Sequence, residues 1–200
     1  MTNEQLLLEG VNGLYELLDY YLVVSFYRNN ILNNITITFR ETDFYHILGL
    51  QYLSDVDDLK RNKVLVVRKI KTSMSFREKT CNSAHFQNEI PDRLYAIIDL
   101  LENFECGKNL FYFFDKKHIS FPTKINADYF IKSDFTEDDS LYRYFYFIIK
   151  RKENDNYVFD SMFLMGTKDY SSKAIGHNMI SFTAHKISTN TDIVLSTTYF

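Results

Sequence analysis

The residues most suited to chemistry lie between Ile35 and Leu50, where a strand-like segment leads into a helical turn carrying a histidine and then a glycine. Ile35, Ile37 and Phe39 alternate with Thr36, Thr38 and Arg40, the period of two expected of a half-buried strand. Thr42 or Asp43 can then cap a helix whose apolar face runs through Phe44, Ile47 and Leu48. His46 sits on that turn. Histidine changes charge near neutral pH, so on a rigid support it is a candidate acid or base. A hydrogen-bonded core histidine is the alternative. The remaining histidines, His85, His118, His177 and His185, fall on separate elements without metal-ligand spacing. No glycine-rich phosphate loop, nucleophile elbow or paired helical histidine occurs. What remains is chemistry by a histidine, cations and hydroxyls spread over a sheet, with no metal or cofactor implied.

The elements that must position these residues follow from periodicity. Leu7, Leu8, Val11, Leu14, Tyr15, Leu18 and Leu22 recur at helical spacing and predict a long amphipathic helix from residue 3 to about 27. Residues 58–71 fit strand locally and helix over their length, and helix is the reading adopted. Pro91 opens a helix with Leu94, Ile97, Ile98 and Leu101 on its apolar face, which Gly107 ends. The second half predicts strands over 110–114, 125–131, 142–150, 157–165 and 179–187. Of these, 142–150 and 157–165 form a hairpin around Glu153-Asn154-Asp155-Asn156. Helices followed by strands with short polar connections imply an α+β domain with an antiparallel sheet. The expected organisation is an N-terminal amphipathic helix and turn over 1–34, packed on a domain spanning 35–200.

Composition narrows the classes. In 200 residues, 46% are hydrophobic and 16% aromatic, with two prolines and six glycines, which excludes disordered and fibrous chains. The net charge of −3 argues against a surface coated in positive charge. The charge is uneven, however. Basic residues dominate between Lys60 and Lys79, as a candidate phosphate-contacting face or an ordinary solvated one, while acidic runs cover Glu4, Glu9, Glu16 and Asp19 and then Asp134, Glu137, Asp138 and Asp139. Cys81 and Cys106 suggest a reduced, cytoplasmic protein rather than a disulfide framework. The acidic N-terminus does not read as a signal peptide, and acidic residues interrupt the apolar stretch Leu6–Val24, so no membrane span is expected.

Several segments in order carry a resemblance. They are Phe44-Tyr45-His46-Ile47-Leu48-Gly49-Leu50 after a strand, Ile90-Pro91-Asp92-Arg93-Leu94 opening a helix, the strand Leu110–Phe114, Lys124-Ile125-Asn126-Ala127-Asp128-Tyr129-Phe130-Ile131, and Asp160-Ser161-Met162-Phe163. Together, over about 35–190, they resemble the fourth phage-associated group of the barnase–EndoU–colicin–RelE (BECR) nuclease superfamily. The resemblance implies helices before an antiparallel sheet that holds the active site, and metal-independent cleavage of RNA by attack of a ribose 2′-hydroxyl. By position in the matched motifs, His46 becomes the candidate acid or base, Lys124 and Arg93 candidate phosphate ligands, and Ser161 a hydrogen-bond donor to phosphate or ribose. Lys150, His185 and Lys186 would complete a substrate-binding face. Each has a structural alternative: an ion pair for Arg93, a solvated edge charge for Lys124, a satisfied strand hydroxyl for Ser161. The expected partners are RNA and, for a toxin of phage conflict, a cognate antitoxin or inhibitor protein. The contrasting function is a non-catalytic protein- or RNA-binding module on the same fold. Convergence of His46 and Lys124 on one concavity would favour catalysis.

Overall fold

The computed structural model describes residues 1–197 apart from Asp99, Asp138, Asp139 and Thr167, and only the backbone of Glu137, Ser196 and Thr197. Asp138 and Asp139 of the expected acidic run therefore lie outside the described residues. The chain runs α1 (Asn3–Leu17), β1 (Tyr20–Arg28), β2 (Ile31–Thr38), α2 (Phe44–Ile47), α3 (Lys63–Thr72), α4 (Met74–Cys81), α5 (Phe86–Glu89), α6 (Pro91–Ile98) and α7 (Leu100–Cys106). The strands β3 (Lys108–Phe113), β4 (Tyr129–Glu137), β5 (Ser140–Lys150), β6 (Tyr157–Leu164), β7 (Ile175–Lys186) and β8 (Thr191–Thr197) follow.

The expected helix to residue 27 is corrected here. It stops at Leu17, and the next residues form a strand whose buried positions Leu22, Val24 and Phe26 alternate with less buried ones. Leu18 and Leu22 fit a helical period as well, which is why the break was hidden; the β-branched and aromatic run Tyr20–Tyr27 decides it through sheet pairing. Asn29 and Asn30, both at positive φ, make the tight turn into β2.

The sheet is not simply antiparallel. Its order β1-β2-β6-β5-β4-β3-β7 closes through a β1–β7 pairing into a seven-stranded barrel, with β8 added beside β7. All pairings are antiparallel except β2–β6, which is parallel and consists of the single rung Ile37↔Tyr157. Short hairpins alone cannot bring β2 beside β6, so the helical segment 41–106 forms part of the long connection between them.

Alternation along β5 separates two cores. Tyr144, Tyr146 and Ile148 join the main core with α1, α2, α3 and α6, whereas Phe145 and Phe147 join Phe114, Phe130 and Tyr170 in a second cluster on the opposite face. The helices cover β6 in particular: α2 and α6 both pack on it. No helix among the described residues is long and apolar enough to cross a membrane.

Candidate active site

Four chain segments converge on β6, and His46 is placed by the turn that leaves β2. Within that turn the Asp43 carboxylate accepts from the Arg40 backbone N–H at 3.0 Å. It also receives a two-pronged contact from Arg151, Nη1 at 3.1 Å and Nη2 at 2.6 Å. The same guanidinium donates to the Thr38 carbonyl at 2.9 Å and its hydroxyl at 3.2 Å, and its side chain is only 6% exposed. Phe44, Tyr45 and Ile47 bury the inner side of α2, which leaves His46 facing outward.

Lys63, the first residue of α3, approaches from the other side, its helix capped by the Asn62 side chain. Lys63 Nζ lies 2.7 Å from His46 Nε2 and 5.4 Å from the Tyr45 ring centroid. An ammonium group only donates, so Nε2 must accept and the ring proton of a neutral imidazole belongs on Nδ1. Crowding by neighbours, reinforced by the Lys63 charge, holds the His46 pKa below that of an ordinary histidine, against the opposing pull of Asp160 and Asp43. His46 is thereby a neutral base near pH 7.

Arg93, on the first turn of α6, is buried. Its Nε donates to the Glu89 carbonyl at 3.1 Å and Nη1 to the Ser161 hydroxyl at 2.9 Å. The guanidinium lies 5.1 Å from the Tyr52 ring centroid and 5.9 Å from that of Phe163. It makes no ion pair among the described residues, although burial disfavours its charged form. The Glu89 and Asp160 carboxylates act on the guanidinium without reaching it as ion pairs, and arginine does not lose its proton, so it keeps the capacity to hold an anion. Gly49 lets the guanidinium in: its φ of +76° suits glycine, and a Cβ there would meet Arg93 Cδ and Nε at 2.7 Å.

The fifth contribution comes from β6 itself. Ser161 pairs with Phe147 and Phe159 with Ile148, so Asp160 is the extra residue of a β-bulge. Bulges re-aim side chains. Burial raises the Asp160 pKa, while the nearby His46 and Arg93 charges act in the opposite direction.

The model of the phage-Barnase-EndoU-ColicinE5/D-RelE like nuclease4 family matches residues 7–198. The chain belongs to that family. No curated protein and no solved structure is significantly similar to it. The match begins within α1, well before the segment 35–190 over which the motifs were recognised, and takes in the whole barrel. Membership makes nucleic acid the substrate class of this phage-type nuclease, and phosphodiester is the anion its cationic cluster suits.

Of the residues singled out in the sequence, this nuclease brings His46, Arg93 and Ser161 together. The others lie elsewhere. Lys124 is exposed in the β3–β4 loop, because β4 begins only at Tyr129, and no contact joins it to His46, so the expected convergence of these two residues is not found. Lys150 pairs with Asp155 at 2.7 Å in the β5–β6 turn. His185 bonds Asp192 at 2.5 Å and stacks on Tyr21, and Lys186 lies over Tyr20. Most of the basic segment 60–79 is engaged. Lys60 pairs with Asp57, Arg61 and Lys79 with Asp58, and Arg68 with Glu41, while Arg77 donates to the carbonyls of Ile70 and Lys71. Lys63 alone of that run reaches His46. Lys63, Asp160, Tyr52 and Arg151 had not been singled out. Asp160 stood inside a quoted motif and Lys63 inside the basic run, whereas nothing local marks Arg151. Among the described residues, no three His, Cys, Asp or Glu side chains converge as a metal-binding group. Cys81 is buried and Cys106 exposed, both as free thiols.

Proposed function

We propose that this nuclease is an endoribonuclease that uses the ribose 2′-hydroxyl as its nucleophile. The observation that carries the reading is the buried Arg93 without a carboxylate partner, set beside a neutral His46 held by Lys63. As the Lys63 ammonium turns from His46 Nε2 to the phosphate oxygens, the freed Nε2 takes the 2′-hydroxyl proton while the O2′–P bond forms. Arg93 and Lys63 hold the phosphorane oxygens, with Ser161 fixing the Arg93 guanidinium. The P–O5′ bond then breaks and O5′ takes a proton from the Lys63 ammonium. The 2.7 Å contact lets His46 return its acquired proton to Lys63, so the pair ends as it began. The products are a 2′,3′-cyclic phosphate and a 5′-hydroxyl.

The test is incubation of wild type and His46→Ala with labelled structured and single-stranded RNA in EDTA, followed by analysis of the ends. Cyclic phosphate formed by wild type and lost in the variant supports the reading. Cleavage of an RNA whose 2′-hydroxyls are replaced by hydrogen overturns it. Binding of RNA or protein without cleavage of any RNA would assign the fold to a non-catalytic module. A role as a cytoplasmic toxin of phage conflict further requires growth arrest on expression, relieved by a cognate inhibitor protein and absent for His46→Ala.

A further inference from the structure

The segment 41–47 and helix α3 are joined at two places. At one end Lys63 Nζ meets His46 Nε2 at 2.7 Å. At the other, five residues away on each side, Arg68 meets Glu41, so the two segments run in opposite directions. This second join is a fork: Arg68 Nε donates to Glu41 Oε1 at 2.7 Å and Nη2 to Oε2 at 2.6 Å. Tyr15 of α1 donates its hydroxyl to the same carboxylate. The Tyr15 ring packs edge-on against Phe44 with 5.3 Å between centroids, and the Lys71 ammonium lies 3.9 Å from its centre. Glu41 is thus gripped from two helices. Hydrogen bonds from Arg68 and then Tyr15 hold its carboxyl below the usual carboxylate range, against the opposing effect of burial.

Burial alone does not fix how α3 lies. The helix turns Val66, Val67 and Ile70 into the core, and apolar contact is non-directional. A slip by one residue carries Lys63 about 1.5 Å along the helix axis and about 100° around it, away from His46. A guanidinium fork on a carboxylate adds the geometric specificity that apolar contact lacks. The side chains of Arg68 and Glu41 are 58% and 21% exposed, and an ion pair so open to water adds little to stability. Its value lies in geometry. We infer that the Glu41–Arg68 fork, backed by Tyr15, is a positioning device that fixes the register of α3 and so sets Lys63 against His46. Its service to catalysis rests on the proposed function, whereas the register does not. The proposed step needs a fixed helix, because the Lys63 ammonium moves between Nε2 and the phosphate oxygens. The charges that bear on His46 are those of Lys63 on α3, Asp160 on β6 and Asp43 in the turn, and neither Glu41 nor Arg68 is among them. Loosening the fork therefore reaches His46 by moving Lys63 rather than by direct charge.

The experiment follows the His46 ring by NMR through a pH titration, with His46→Ala identifying its signal. Wild type is compared with Glu41→Gln, Arg68→Met, Lys63→Met and the double variant Arg68→Met/Lys63→Met, and kcat/KM on RNA is measured for each. The expected result is a His46 pKa raised in Glu41→Gln and in Arg68→Met, the direction expected of Lys63→Met, with no further rise in the double variant. In the two fork variants kcat/KM should fall about 10- to 100-fold, while the urea midpoint of unfolding moves little. Tyr15→Phe, which removes one hydroxyl, should shift His46 the same way by less. It decides the matter if the fork variants do not fold, and an unchanged pKa there then overturns the inference. A His46 pKa unchanged in both folded fork variants overturns it as well. So does a rise in Arg68→Met that adds fully to that of Lys63→Met, because the effect then bypasses Lys63. The expected pattern of His46 shifts without RNA cleavage by wild type supports the register device and overturns the proposed function alone.

Discussion

Two arginines of this protein are similarly buried and serve opposite ends. Arg151 meets a carboxylate with two nitrogens and the backbone of Thr38 with another contact, so its charge is neutralised within the fold. Arg93 meets a carbonyl, a hydroxyl and two aromatic rings directly, and the Glu89 and Asp160 carboxylates act on it only from beyond ion-pair distance. A buried cation with its own anion is part of the scaffold. A buried cation without an ion-paired anion keeps the capacity to bind one, which is the role proposed for Arg93.

That contrast can be broken by substitution, and the largest effect is expected at the scaffold arginine. Arg151→Met leaves Asp43 with only the Arg40 amide, and should lower unfolding stability by about 3–5 kcal/mol in denaturant titrations. Adding Asp43→Asn should recover part of that loss. Arg93→Met should do the reverse: unfolding stability changes by less than about 2 kcal/mol, because a costly buried charge leaves together with its two hydrogen bonds. Its effect should fall on cleavage, with kcat/KM reduced about 10²- to 10³-fold. Equal destabilisation by both substitutions would erase the distinction. Gly49→Ala sharpens it further, because the residue touches only the Arg93 side of the comparison. A left-handed alanine costs about 1–2 kcal/mol, and its methyl group would push Arg93 from Ser161, so activity should fall together with a modest loss of stability.

The smallest expected effect is a pH shift. Lys63 lowers the His46 pKa, so the base form persists below the ordinary histidine value of about 6.5. Lys63→Met also removes the proposed acid, so its overall rate falls; in the activity that remains the repulsion is gone, the His46 pKa rises, and the acidic limb of the kcat/KM profile should move to higher pH. A limb that stays in place would separate His46 titration from the rate.

Much of this site was legible in the sequence, and the reasons it was incomplete are physical. His46, Arg93 and Ser161 stand in compact motifs where a strand, a helix start or a cap fixes the backbone locally, so position in the motif carries position in space. Gly49 and Arg93 even belong to two motifs that require each other. Lys63 was visible only as one of eight basic residues in segment 60–79, and composition cannot tell which of those that do not pair with Asp57, Asp58 or Glu41 reaches His46. The β1 strand was hidden because its leucines satisfy a helical period, until pairing with β2 and β7 decides the matter. Closure of the barrel depends on a contact between residues 120 apart, Ile37 and Tyr157, which no window of sequence contains.

That contact gives the molecule a seam. Every other join of the barrel is a ladder of several rungs, whereas β2 and β6 meet at one. His46 follows from one side of this join, and Asp160 and Ser161 stand on the other. Arg151 bridges the first side to β5 by donating to the Thr38 carbonyl at the end of β2, much as a rivet replaces stitching where two plates meet. The spacing between His46 and the Asp160–Ser161 segment of β6 is therefore set less by the barrel's hydrogen-bond ladder than by side chains. A relative of this fold can widen or narrow its jaws by changing a few residues at that joint, without rebuilding a strand.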